Sequence, residues 1–238
     1  MEIKVLGTSG SDTHGEHLTS FLLDGTILFD AGGITGSLRL KQQHRIRYIF
    51  ITHAHLDHIR DIPFLAENLV VGGKESWITV FSIDEVIDDI KKHLFNHRIW
   101  PDFTVIPDEK TPVIRFEKIK GSVRLNNLCI TPFSVNHTVP ATGYLVQKGN
   151  KSFFYTGDTG PSEKTWKNLA NIHLDALIIE TSFPDKMKKI AQTTGHLTPE
   201  LLFQELSRIG TIPDKIYITH VKSFFRKQIE KEIQKRSS

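Results

Sequence analysis

The chain carries one cysteine in 238 residues, Cys129, and that scarcity removes an internal disulfide framework and any Cys-based metal site. It fits a reducing, cytoplasmic setting. No apolar run approaches the roughly 20 residues that a membrane-spanning helix needs. A strong charge of one sign is missing too: 30 basic against 27 acidic side chains leaves +3, too mild for a nucleic-acid protein on charge alone. There is no low-complexity block, no internal repeat and no Gly/Ser linker, so a single domain over residues 1–238 is expected. Met1 runs straight into the apolar pattern of Ile3, Val5 and Leu6, which predicts no targeting leader. Hydrophobic residues at 39% suffice for a core without cross-links at this length. The positive hint is the twelve histidines.

Apolar patterning predicts strands at Ile3–Leu6, Ser20–Leu23, Thr26–Phe29 and Tyr48–Thr52, with glycines in the turns between them. Helical spacing follows over Ile59–Glu67 and Asp84–Asn96. Strands return at Ile114–Phe116, Leu128–Val135, Gly143–Val146, Ser152–Thr156, Ala176–Ile179 and Lys215–Thr219. Helices are expected at Glu163–Ala170 and Pro199–Arg208, the latter capped by Thr198, and the basic stretch Arg226–Arg236 reads as an exposed helix or a fraying end. Strands interleaved with helices and hairpins predict an α/β (α+β) fold with mixed sheets.

The chemistry gathers at His53-Ala54-His55-Leu56-Asp57-His58, directly after a predicted strand. In extended chain His53 and His55 point to the same side, so both imidazoles can face one ion. Imidazole and carboxylate without thiolate is the donor set of a catalytic zinc-type centre. Four more predicted strands run into a residue able to bind metal or move a proton: His137, Asp158, Glu180 and His220. A lone histidine after a strand is ordinarily a surface or hydrogen-bonded residue, and a lone Gly-Asp is a turn. The repetition at strand ends, where α/β folds gather their sites, favours function.

His-Ala-His-Leu-Asp-His with His137, Asp158 and His220, in that order, resembles the metallo-β-lactamase superfamily. The resemblance implies an αββα sandwich of two mixed sheets flanked by helices. It also implies two divalent ions, zinc or alternatively manganese. His53, His55 and His137 would hold one ion, Asp57, His58 and His220 the other, and Asp158 would bridge them. Asp30 matches the structural aspartate near the site. The stretch 92–103, containing Phe95-Asn96-His97-Arg98-Ile99-Trp100-Pro101, together with Thr181-Ser182-Phe183 and Gly195-His196-Leu197-Thr198-Pro199, is similar to the class II 3′,5′-cyclic-nucleotide phosphodiesterases.

That similarity implies a cyclic nucleotide as small-molecule substrate, a nucleoside 5′-monophosphate as product, and a homodimer. Asp57 would orient or deprotonate the attacking water. Glu180 and His196 read as an oriented general acid. Trp100 and Phe103 are candidates to stack on the base, against a bland reading as packing or a dimer contact, and Thr198 is a further substrate-binding candidate. His93 and His97, four residues apart on a predicted helix, are assigned to solvent or an interface, and His14 and His17 have no assigned role. The rival enzyme is a ribonuclease Z-like nuclease, which resembles the chain in every ligand. Only 158 − 137 = 21 positions separate the third motif from the bridging aspartate, too few for the basic arm that such nucleases use on RNA. A metallo-hydrolase of another ester would leave Glu180, His196 and the Trp-Pro segment idle, and a non-enzymatic binding module would need neither Asp158 as a bridge between two ions nor His196 nearby.

Overall fold

The computed structural model describes residues 1–72 and 76–237. Its contacts fall into two compact units, residues 1–8 with 14–119, and residues 9–13 with 120–238. Each holds one six-stranded mixed sheet with flanking helices.

In the first unit the strands are β1 (Ile3–Gly7), β2 (Ser20–Leu23), β3 (Ile27–Phe29), β4 (Tyr48–Phe50), β5 (Ile78–Ser82) and β6 (Ile114–Lys118), in that spatial order. The first three form an antiparallel meander and the last three add in parallel. The helices are α1 (Leu40–Gln43), α2 (Leu56–Ile59), α3 (Ile62–Val71) and α4 (Asp84–His93). Ile49, Ile62, Leu65, Val80, Ile87 and Ile90 join strands and helices into one buried core. β5, absent from the expected elements, is buried at all five positions. It shows why it is hard to read: a strand covered on both faces has no alternation to detect.

The expected helix at Ile59–Glu67 is two helices, α2 and α3, separated at Arg60 and Asp61. The expected Asp84–Asn96 helix ends at His93. Beyond it the chain turns, with Asn96 Oδ1 accepting from the amides of Arg98 and Ile99 and His97 in the left-handed region at φ 60°. His93 and His97 therefore do not share a helix face, which corrects that reading, and both are exposed.

The second unit repeats the plan. Its strands are β7 (Val123–Leu125), β8 (Leu128–Ser134), β9 (Thr142–Lys148), β10 (Lys151–Tyr155), β11 (Ala176–Glu180) and β12 (Lys215–Thr219). β7 to β10 form an antiparallel meander, and β11 and β12 then add in parallel to β10. The helices are α5 (Glu163–Leu169), α6 (Lys188–Thr193), α7 (Pro199–Leu206) and α8 (Arg226–Ser237). Trp166, Leu169, Leu201 and Leu202 from α5 and α7 pack with Leu145, Phe154, Leu177 and Ile179 from the sheet. α8 is a full helix, with Ile229 buried. Parallel direction matters here, because β10, β11 and β12 all release the chain at the same edge of the sheet. β8 runs with β10, since both are antiparallel to β9.

Candidate active site

In the first unit β3 and β4 lie side by side and parallel, so the residues that leave them meet. Asp30 follows β3 in the left-handed region at φ 55°, fully buried, with its amide donating to Phe50 at 2.9 Å. Its Oδ1 accepts from the Thr52 amide at 2.8 Å, and its Oδ2 lies 2.9 Å from the Thr52 hydroxyl and 2.8 Å from His58 Nδ1. The same hydroxyl is 3.0 Å from His53 Nδ1. His53 and His58 are fully buried, with ring centroids 4.2 Å apart, and His55 stands edge-on to His53 at 4.6 Å. Asp57 Oδ2 reaches to 3.9 Å from His58 Nε2. Asp30 thus contacts His58 directly and His53 through Thr52, with His55 beside His53 and Asp57 beside His58.

In the second unit, His137, Asp158, Glu180, His196 and His220 converge. His137 Nδ1 donates to the Gly195 carbonyl at 2.9 Å. Gly195 is itself left-handed at φ 68°, and a Cβ there would lie 2.9 Å from the His137 ring, so only glycine fits. Glu180, the last residue of β11, is fully buried and takes His196 Nδ1 at 2.7 Å on Oε1. Its Oε2 accepts from Ser182 Oγ at 2.9 Å, and that hydroxyl also lies 2.9 Å from His220 Nδ1. His220 Nε2 is 3.4 Å from Asp158 Oδ2. The His196 and His220 rings stack at 5.4 Å, and Phe183 leans on His196 at 5.7 Å.

The electrostatics separate two of these imidazoles. Burial pulls His137 below the ordinary histidine value, outweighing the Asp158 charge and the Gly195 bond, so its neutral form is favoured. Burial acts on His196 in the same sense and is the largest single influence. The Glu180 charge, its hydrogen bond and Asp158 together exceed it, and the pKa of His196 is raised.

These donors fit divalent cations. A carboxylate or carbonyl only accepts, so His58, His137 and His196 each donate through Nδ1 and keep Nε2 for other work. Oriented imidazoles of this kind are the usual ligands of zinc-type ions. Ligand atoms about 2.0–2.2 Å from a tetrahedral ion stand roughly 3.2–3.6 Å apart. The 3.4 Å between His220 Nε2 and Asp158 Oδ2 is of that size.

The remaining expected positions make packing and capping contacts. Phe103 is 6% exposed and part of the first unit's core, with its ring on Phe95, so it has no open face for a base. Trp100 is half-buried against that core, with Phe64 edge-on at 5.0 Å. Thr198 is fully buried and caps α7, accepting from the Leu201 amide at 3.4 Å. Thr52 and Ser182 were not among the expected site residues. The available signal was position, since one precedes His53 and the other follows Glu180 by two residues.

The chain belongs to the β-lactamase superfamily: the family model described as "Beta-lactamase superfamily domain" matches residues 26–221. A probable 3′,5′-cyclic-nucleotide phosphodiesterase of Yersinia pestis is 27% identical over 98% of this chain and 83% of its own length. The crystal structure of unliganded yeast PDE1 superimposes with a TM-score of 0.81 over 99% of this chain and 93% of that one, at 22% identity, and supports the fold. A ribonuclease Z of Pyrococcus abyssi is 30% identical over 63% of this chain and 49% of that enzyme. No helix among the described residues is long and apolar enough to cross a membrane.

Proposed function

We propose that the protein hydrolyses 3′,5′-cyclic nucleotides to nucleoside 5′-monophosphates with two divalent ions, zinc or manganese. The observation that carries this reading is the Glu180–His196 pair, 2.7 Å apart beside Asp158 and His220, in a chain whose relatives include cyclic-nucleotide phosphodiesterases. His53, His55 and His137 would hold one ion, Asp57, His58 and His220 the other, with Asp158 shared. When bound, such ions acidify water and neutralise the non-bridging oxygens of a phosphodiester.

The residues do the rest. Asp57 orients the attacking water and takes its proton. A new oxygen–phosphorus bond forms as the bond from phosphorus to the ribose 3′ oxygen breaks. His196, whose pKa is raised by Glu180 against the opposing effect of burial, gives its Nε2 proton to the departing 3′ alkoxide. Glu180 holds the ring by Nδ1, which leaves the Nε2 proton as the one to transfer.

Ribonuclease Z relatives make RNA phosphodiester hydrolysis the second reading. Against it, the chain between His137 and Asp158 is taken up by the β9–β10 hairpin, turned at Gly149 with φ 59°, and holds no inserted basic arm. The test is a panel of 3′,5′-cyclic purine and pyrimidine nucleotides run beside a tRNA precursor, with metal-loaded protein. Turnover of at least one cyclic nucleotide with an intact precursor is expected. Cleavage of the precursor alone would replace this reading with the nuclease.

A further inference from the structure

Two hydroxyls near the histidines have the same surroundings in separate parts of the chain. In the first unit the Asp30 carboxylate takes His58 Nδ1 directly at 2.8 Å and the Thr52 hydroxyl at 2.9 Å, and that hydroxyl lies 3.0 Å from His53 Nδ1. In the second unit the Glu180 carboxylate takes His196 Nδ1 directly at 2.7 Å and the Ser182 hydroxyl at 2.9 Å, and that hydroxyl lies 2.9 Å from His220 Nδ1. Both carboxylates, both hydroxyls and the four imidazoles are buried.

A hydroxyl has one proton to give and lone pairs to receive with. Facing a carboxylate and an imidazole, it gives the proton to the carboxylate, because the charge-assisted bond is the stronger. Ser182 Oγ also has the His220 carbonyl at 3.1 Å and His196 Nδ1 at 3.3 Å. Both are longer contacts than its 2.9 Å approach to Glu180. With its proton committed, the hydroxyl can only accept from the ring nitrogen. Nδ1 of His53 and of His220 then carries hydrogen, and Nε2 holds the lone pair.

We infer that Thr52 and Ser182 are relay hydroxyls: each lets one buried carboxylate set the tautomer of two histidines, one by direct contact and one through the hydroxyl. Asp30 and Glu180 then each orient a pair of histidines, and Thr52 and Ser182 are positioning residues. The consequence for metal affinity rests on the two-ion reading; the tautomer assignment does not. His220 is further fixed by its left-handed backbone at φ 58° and by Gly10, whose absent Cβ would lie 2.9 Å from His220 Nδ1.

The experiment has two arms. Long-range ¹H–¹⁵N correlation on the metal-free, histidine-labelled protein reads each tautomer. His53 and His220 are expected with hydrogen on Nδ1 in the wild-type protein, and finding it on Nε2 in either would overturn that relay. Thr52→Val should move His53 to a mixture and leave His58 unchanged, while Ser182→Ala should do the same to His220 and leave His196 unchanged. The unchanged partner in each variant reports an intact site, and Thr52→Ser should restore the wild-type pattern. In the second arm, competition with a chromophoric chelator measures Zn²⁺ affinity, which should fall about 10–100-fold in each variant. Wild-type affinity and wild-type tautomers in both variants would refute the relays. A wild-type protein that binds no Zn²⁺ or Mn²⁺ would refute the proposed function instead, and the first arm would still decide the relays.

Discussion

His196→Ala should separate leaving-group chemistry from the rest of the site. The imidazole is 8% exposed and bound at 2.7 Å to a fully buried carboxylate. Its pKa lies above the ordinary 6.5, with Glu180 and Asp158 overcoming the opposing effect of burial. More of it is therefore protonated at neutral pH than for a free histidine. A ribose alkoxide leaves poorly without that proton, whereas a nitrophenolate leaves unaided. Loss of a general acid slows reactions about 10²–10⁴-fold, or about 2.7–5.4 kcal/mol of barrier at 1.36 kcal/mol per decade. The assay compares kcat/KM for a cyclic nucleotide and for bis(p-nitrophenyl) phosphate, at matched metal content. The cyclic substrate should lose the full factor, and the nitrophenyl ester should stay within about tenfold of wild type. Glu180→Gln should bring the alkaline limb of the cyclic-nucleotide profile to lower pH, because the main influence raising the pKa is gone. Equal losses on both substrates would end the acid assignment and leave His196 a charge-stabilising or structural group.

Gly10→Ala should weaken metal retention about tenfold or more while the fold persists, because a Cβ at this position meets the His220 carbonyl at 2.6 Å and displaces the ring beside it; chelator competition reads it. Glu205→Ala should lower the stability of the second unit by about 1–3 kcal/mol, since Glu205 Oε2 accepts from Trp166 Nε1 at 2.6 Å and from the Ser162 amide at 2.7 Å, and the urea midpoint should fall without a change in slope. The stabilisation that comes from the raised pKa of His196 is full below 6.5 and lost as pH rises through its folded value. In metal-free protein, urea titrations should therefore find Glu180→Gln most destabilising on the acid side of neutrality; a cost that does not shrink with rising pH would contradict the linkage.

Sequence reading reached the strand-end histidines and aspartates because a dense polar motif after an apolar run has few structural uses. The edges of β8, β11 and β12 fell within a residue of expectation for the same reason: their apolar runs are bounded by clear polar ends. β5 escaped because burial on both faces erases period-two alternation. The α4 boundary was misplaced because helical spacing continues through Leu94 and Phe95, which remain buried after the helix has ended. Phe103 carried two readings, base platform and packing, because sequence cannot tell which way an aromatic ring faces. Thr52 and Ser182 stayed invisible, since a hydroxyl acquires its role only from the two groups that fold against it.

The most direct measurement of the central claim is phosphorus NMR of a 3′,5′-cyclic nucleotide incubated with metal-loaded protein, with and without a chelator. The account predicts conversion to the nucleoside 5′-monophosphate alone, abolished by the chelator and restored by Zn²⁺ or Mn²⁺. A 3′-monophosphate product, or turnover that persists after the metal has been removed, would contradict it.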